Sequence, residues 1–549
     1  MNRRSKRSHY VAAATAAVLA ALAAGTPAAA QLGPVPAPAG NPITPAKAVL
    51  GKMLFWDEQL SSDNTISCGT CHIPSAGGVD PRTSSGSVHP SFDGIVGTPD
   101  DINGSFGVTL TDLLGGYVPS AVFGFENQVT HRQSVSHIAS GYFGELFWDG
   151  RAQGSFDDPI SGFNVLPTGG ALENQAIGPI LNDVEMARPG RTWLDVTTKL
   201  ADPATVPMKL AWMLTPDITT ALSASPTYPL LFRAAFGPPP AGTPDITPVK
   251  IAFALATYMR TQVPDQTPWD DFMRGLPTLS AQEQNGLALF SDPTVGNCAG
   301  CHAPPLFGST SFHNLGIRPP FEDVGRVAVT GNPADLARFR ATSLRGVGLR
   351  KFFFHTGAPA LPDVAAVLAF YEGRKFSGIP GISPALFGIN MTPAQQADIE
   401  AFLLGGLTDP RVAAETPPFD RPRVHTERAI ANPTILGAGT VGAGGITPQM
   451  LAETPPFVNN GDFKVGVFAA EGGASAQLVT APTPFGPWTP IGGPIVLGGV
   501  PTVPGDGFGT AHLPPPTTAM VGLVDWMRWE VLESSGALVL TPMARMTYF

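Results

Sequence analysis

Apolar and polar positions fall into distinct regimes along the 549-residue chain. An Ala/Val/Leu run occupies 11–24. From about 41 to 425, apolar clusters follow helix-start signals. Thr44-Pro45, Thr247-Pro248 and Thr392-Pro393 each set an N-cap before a proline at the first helical position. Ser280-Ala281-Gln282-Glu283 has capping-box spacing and opens a helix carrying Leu287 and Phe290. Thr392 to Gln395 opens another, which stops at Gly405-Gly406. The Gly/Ser/Asp-rich stretch 79–130 has little periodicity and reads as a long insertion loop. Past Pro422 the pattern changes. A glycine-rich segment at 437–445 precedes short β-prone runs (463–468, 476–479, 494–497, 537–540) separated by Gly/Pro turns, which predicts an appended antiparallel β domain. The expected fold is mainly α, two helical units with long loops, followed by that β domain.

Composition adjusts this picture. With 62 glycines and 58 prolines, the loops should be long and the helix content modest. The formal net charge of −10 argues against nucleic acid or an anionic membrane as partner. Arg3, Arg4, Lys6 and Arg7, the apolar run and Ala28-Ala29-Ala30 together read as a signal peptide over 1–30. That run is too short and alanine-rich for a stable membrane span. Export, and a periplasmic location in a Gram-negative source, is therefore expected.

The chain has four cysteines, all placed in two Cys-x-x-Cys-His motifs: Cys68-Gly69-Thr70-Cys71-His72 and Cys298-Ala299-Gly300-Cys301-His302. This motif attaches c-type haem covalently, the histidine reaching the iron as axial ligand. A tetracysteine zinc ribbon needs pairs roughly 15–20 residues apart. A dithiol or disulfide reading leaves both histidines unexplained. Two haem c groups are the expected cofactors. The motifs also share surroundings: Leu54-Phe55-Trp56-Asp57 and Leu289-Phe290-Ser291-Asp292 precede them, and Pro74 and Pro304 follow. We read this as duplication of a small cytochrome-c-like unit. The expected domains are the signal peptide 1–30, haem c units 41–275 and 276–425, a linker 426–450 and the β domain 451–549.

From Asn41 to about Pro422 the sequence resembles the bacterial di-haem cytochrome c peroxidases and their relatives that mature tryptophylquinone cofactors. Phe147-Trp148-Asp149-Gly150-Arg151 matches the family's FWDGR segment. Leu172-Glu173-Asn174-Gln175-Ala176-Ile177-Gly178-Pro179, then Asn182 and Glu185-Met186, matches LExQAxGP…NxxEM. Phe312-His313-Asn314-Leu315-Gly316, Asp323-Val324-Gly325-Arg326 and Phe339-Arg340-Ala341-Thr342-Ser343-Leu344-Arg345 follow in the expected order. The resemblance implies that His72 holds a peroxidatic haem and His302 an electron-entry haem. It implies that Glu185 is the acid–base carboxylate, Gln175 its hydrogen-bonding neighbour and Trp148 an electron relay. The implied reaction is reduction of hydrogen peroxide to water, with electrons from a small c-type cytochrome or cupredoxin. A positioned carboxylate suits that chemistry, because cleaving the O–O bond requires one proton to move between the two oxygens.

The sequence departs from the family pattern in three places. The segment that usually reads R-N-x-P-T is Arg132-Gln133-Ser134-Val135-Ser136, so a distal histidine would have to be His131 or His89. Gln133 and Arg350-Lys351-Phe352 replace residues that often hold calcium, and a cationic pair disfavours that ion. The second haem's other ligand falls at Phe370-Tyr371-Glu372-Gly373, which makes Tyr371 the expected ligand and Met391 the fallback. A tyrosine ligand favours the alternative function, long-range oxidation of a partner protein. A plain electron carrier is the other alternative, but it would need neither Glu185 nor an open distal site. A homodimer is left open.

Overall fold

The computed structural model describes residues 31–82, 88–358, 360–375 and 377–549; the expected signal peptide lies outside them. Helix α1 (Pro45–Trp56) begins where the sequence places it, with Thr44 Oγ1 accepting from Lys47 N. It packs against α3 (Pro248–Thr261), whose cap is Thr247, and α3 in turn meets α2 (Ala171–Ile177). Gly51 makes the α1–α3 approach possible, since a Cβ there would overlap the Ala254 carbonyl. Leu50, Met53, Leu54, Phe55, Trp56, Leu172, Leu255 and Tyr258 form the centre of this first core. Trp56 Nε1 donates to Tyr258 Oη at 3.1 Å.

The second unit repeats the arrangement. Helix α4 (Ala281–Ser291) starts at the Ser280/Glu283 capping box and crosses α6 (Pro393–Ala401), which has its own box at Thr392/Gln395. A Cβ on Gly286 would overlap the Asp398 carbonyl, as one on Gly51 would overlap Ala254. Each glycine lies four residues before the phenylalanine, Phe55 or Phe290, that enters the core. The third helix of the unit is α5 (Val364–Arg374). Each core also encloses an ion pair: Arg260 with Glu173 and Arg345 with Asp270, both at 2.7 Å. Removing one member of such a pair leaves an uncompensated buried charge, at a cost of about 3–5 kcal/mol.

Short strands interrupt the insertion loop. β1 (Phe106–Thr109) and β2 (Asn127–Val129) form an antiparallel hairpin. The C-terminal region holds two antiparallel sheets over one core. The smaller runs β4 (Gln449–Leu451), β5 (Lys464–Ala470), β7 (Gly507–His512). The larger includes β6 (Ser475–Ala481), β8 (Val524–Leu532), β9 (Met543–Thr547) and β3 (Thr434–Leu436) as neighbours in that order. Val465, Val467, Leu478, Met527, Trp529, Val531 and Met546 fill the space between them. Two expectations are corrected. The stretch 426–450 supplies strands β3 and β4 and is not merely a linker. The described structure is mixed, with 29% helix and 15% strand, and not mainly α, because Pro and Gly keep the helices short and the sheets add strand.

Candidate active site

The first Cys-x-x-Cys-His follows Ser67, whose hydroxyl caps the short helical turn Cys68–Cys71. Gly69 lies flat on the Trp56 ring, where a side chain would collide. None of the four cysteines is disulfide-bonded. Burial pushes the Cys68 and Cys71 thiols up to about 12, so both remain protonated. His72 Nδ1 lies 3.1 Å from the Gly78 carbonyl, and burial lowers the ring's pKa. A neutral imidazole donating from Nδ1 leaves Nε2 as a free lone pair, the tautomer a metal ligand needs.

These residues open onto a cavity of about 620 Å³, within the range of cofactor and ligand sites. Cys68, Cys71, His72, Trp148, Gln175 and Glu185 all line it. Glu185 is half-buried and accepts no side-chain hydrogen bond among the described residues. Burial raises its pKa, and the charge of Arg151 partly opposes the rise. No hydrogen bond joins Gln175 to Glu185; both face the cavity independently. Glu185 also lines an outer cleft of about 530 Å³ with Arg151, Gln153, Asp157, Asn174 and Asn182. His89 and His131 sit at the edge of the cavity, their rings 4.9 Å apart. His89 Nδ1 accepts from Ser91 N, and burial lowers His89 to about 4.

The second motif lines a narrower cavity of about 180 Å³. His302 Nδ1 lies 3.2 Å from the Phe307 carbonyl and 3.1 Å from that of Thr342, which again frees Nε2. Tyr371, on α5, and Met391 both face this cavity. The Tyr371 hydroxyl has no hydrogen-bond partner among the described residues. Burial raises its pKa, and the nearby thiols of Cys298 and Cys301 add to the rise.

A thin wall separates the cavities. Residues 133–136, Trp148 and Arg340 line both. Trp148 Nε1 donates to the Gln133 carbonyl at 2.7 Å, and the Trp148 carbonyl accepts from Arg340 N at 2.8 Å. Phe147, one residue earlier, holds a left-handed φ of 64°, a strained conformation for a residue with a side chain.

Two cations, Arg340 buried and Arg350 half-buried, test whether anionic cofactors suit these cavities. Among the described residues Arg340 Nη1 and Arg350 Nε have no hydrogen-bond partner, and desolvation lowers both groups to about 10. Guanidinium groups that keep an unpartnered nitrogen and form no ion pair among the described residues favour an anion, and haem brings two propionates. The free Nε2 atoms, the paired thiols and these cations all fit haem. They do not fit calcium at the expected place. The Gln133 amide is spent on Ser134 N and the Asp80 carbonyl, and Arg350 donates to the Ser343 and Arg345 carbonyls.

One residue of the first cavity escapes the sequence reading. His137 is 4% exposed, its ring 5.7 Å from that of His72, and its Nε2 has no partner among the described residues. It directly follows the altered segment 132–136, and a histidine one step beyond a disrupted motif was the available signal.

Comparison with known proteins shows which family the chain belongs to. The family model for di-haem cytochrome c peroxidase matches residues 45–278. The methylamine utilization protein MauG of Paracoccus denitrificans is 30% identical over 357 residues, 60% of this chain and 76% of that one. The cytochrome c551 peroxidase of Pseudomonas aeruginosa is 28% identical over 380 residues, covering 67% and 85%. The cytochrome c peroxidase Ccp of Escherichia coli is 28% identical over 349 residues, of which this chain spans 56% of the length. A solved structure, a MauG-like protein associated with microbial copper homeostasis, superposes with TM-score 0.49 at 22% identity over 71% of this chain and 96% of that one. The chain belongs to the di-haem cytochrome c peroxidase family, which includes MauG. It is a peroxidase-type oxidoreductase of a family that carries two haems.

Proposed function

We propose that this protein reduces hydrogen peroxide to water at the first cavity, with electrons entering singly through the second. The observation that carries the reading is the position of Glu185, a carboxylate without a hydrogen bond, on the wall of the first cavity. Its counterpart is missing from the second cavity, where no carboxylate is among the lining residues described. Bound through Cys68 and Cys71 with His72 as ligand, haem would supply the redox centre for the reaction. The chain's own residues handle protons and position. Glu185, its pKa raised by burial, takes a proton from one peroxide oxygen and returns it to the other as the O–O bond breaks. Two electrons and two further protons complete the conversion of one peroxide to two waters. The outer cleft that shares Glu185 offers protons and peroxide a polar approach. Trp148 places an aromatic ring between the cavities, and Arg340 would neutralise propionate charge there.

The domains 41–275 and 276–425 would then be the peroxidatic and electron-entry units, and 451–549 an accessory. We assign the donor to a small c-type cytochrome or cupredoxin and the location to the periplasm. No helix among the described residues is long and apolar enough to cross a membrane. One observation favours the second reading, oxidation of a partner protein: the unbonded Tyr371 phenol faces the second cavity, where a tyrosine ligand would stabilise high oxidation states.

Glu185→Gln tests the main reading. It should keep both haem spectra and slow peroxide turnover by roughly 10²–10⁴. Unchanged turnover with intact spectra would remove this carboxylate from the mechanism.

A further inference from the structure

The β domain contacts the first unit at one place that bears on catalysis. Thr109 Oγ1, at the end of β1, donates to Glu453 Oε2 at 2.6 Å. Lys464 Nζ donates to the Gly115 carbonyl at 2.8 Å and lies 4.8 Å from the centre of the Tyr117 ring. Tyr117 N donates to Thr510 Oγ1 at 2.9 Å, and Phe125 stacks on Phe468 at 4.9 Å. The β domain thus grips the hairpin at the end of β1, at its tip and on the return toward β2.

The other face of that hairpin bears on the carboxylate. Gly107, in β1, lies so close to the backbone of residues 184–185 that a Cβ would overlap both carbonyls. Asn127 Nδ2 donates to the Gly107 carbonyl at 2.8 Å, and Gln128 Nε2 donates to the Asp183 carbonyl at 2.6 Å. The Glu185 segment is otherwise an irregular turn organised by Asn182, which accepts from Met186 N and Ala187 N. A hairpin of two short strands is marginally stable by itself. Its order must be borrowed from a neighbour, and the β domain supplies it.

We propose that the C-terminal β domain is a positioning element for the peroxidatic site, fixing the Glu185 backbone through the 106–129 hairpin. The proposal rests on the catalytic reading of Glu185 for its importance, but its test does not. In the full-length, haem-loaded protein, Thr109→Val combined with Lys464→Met should raise amide hydrogen exchange in both 106–129 and 182–187 by about tenfold, the scale of a lost buried hydrogen bond. Exchange around 281–302 should be unchanged. Turnover should fall through kcat with KM little altered, and the first haem's spectrum should shift while the second's stays. Thr109→Ser keeps the hydroxyl and should restore parental exchange in the Lys464-intact protein. Faster exchange confined to 106–129, or faster exchange everywhere, would overturn the proposal. Full turnover in Glu185→Gln would sink the catalytic reading yet leave the exchange result standing.

Discussion

The two cavities are built on the same local plan but differ in size and lining. Both sit at the end of a helix whose glycine lets a second helix approach, Gly51 in one and Gly286 in the other. Both hold a histidine whose Nδ1 is bound to backbone carbonyl oxygen. Yet the first is about 620 Å³ with an unbonded carboxylate, and the second about 180 Å³ with an unbonded phenol. The difference comes from what closes each unit. A polar insertion loop and the turn at 182–187 cover the first, whereas α5 and its apolar side chains cover the second. A repeated frame holds the histidine of each cavity, and unrelated segments close the two cavities differently.

The largest test of the comparison removes one frame at a time. Cys68→Ala and Cys298→Ala should each lose one covalent haem and retain the other, as read by denaturing haem stain and haem-to-protein ratio. A parental ratio in either variant would show that the motif is not the attachment point. Next in size, Trp148→Gly should leave peroxide binding intact and slow electron delivery across the wall by about tenfold, equivalent to about 1.4 kcal/mol on the barrier. Stopped-flow oxidation of reduced protein at parental rates would reduce the indole to a packing role.

The second cavity can be sharpened with Tyr371→Phe, followed by near-infrared absorption of the ferric protein. Loss of the native ligand-field pattern is expected; a methionine–iron band that persists would pass the ligand role to Met391. The smallest effect lies in the pH profile. Burial raises Glu185 and Arg151 opposes the rise. Removing that cation destabilises the carboxylate, so the pKa goes up and the base form appears only at higher pH. In Arg151→Ala the acid limb of kcat/KM should therefore move to higher pH, by under about one unit because Arg151 is largely solvated. A limb that stays in place would detach Arg151 from Glu185.

Much of this was legible in the residues. The paired motifs, the caps at Thr44, Thr247, Ser280 and Thr392, and the two-unit plan follow from local chemistry acting over a few positions. The convergence of Trp148, Gln175 and Glu185 on one cavity came from ordered family segments and could not have come from periodicity. The strand β8 (Val524–Leu532) was missed because Asp525, Arg528 and Glu530 break up its apolar run, although Met527, Trp529 and Val531 alternate inward. Strands β3 and β4 flank the glycine-rich segment and are only three residues each; β3 takes its order from β9, distant in sequence, and β4 from the neighbouring strand β5. The bond between Gln175 and Glu185 suggested by the family pattern is not made. The unpartnered nitrogens of Arg340 and Arg350 are invisible in sequence, since which donors find an acceptor is a property of the folded interior.

The bond between Thr109 and Glu453 joins positions 344 apart in the chain. Contacts of such separation carry a loop-closure cost and form late. The pocket encoded first is therefore completed last: its hairpin wall waits for strands synthesised some hundreds of residues afterwards. Order of synthesis and order of closure therefore run opposite to one another: the wall beside the Glu185 turn settles only once the strands around Glu453 are in place.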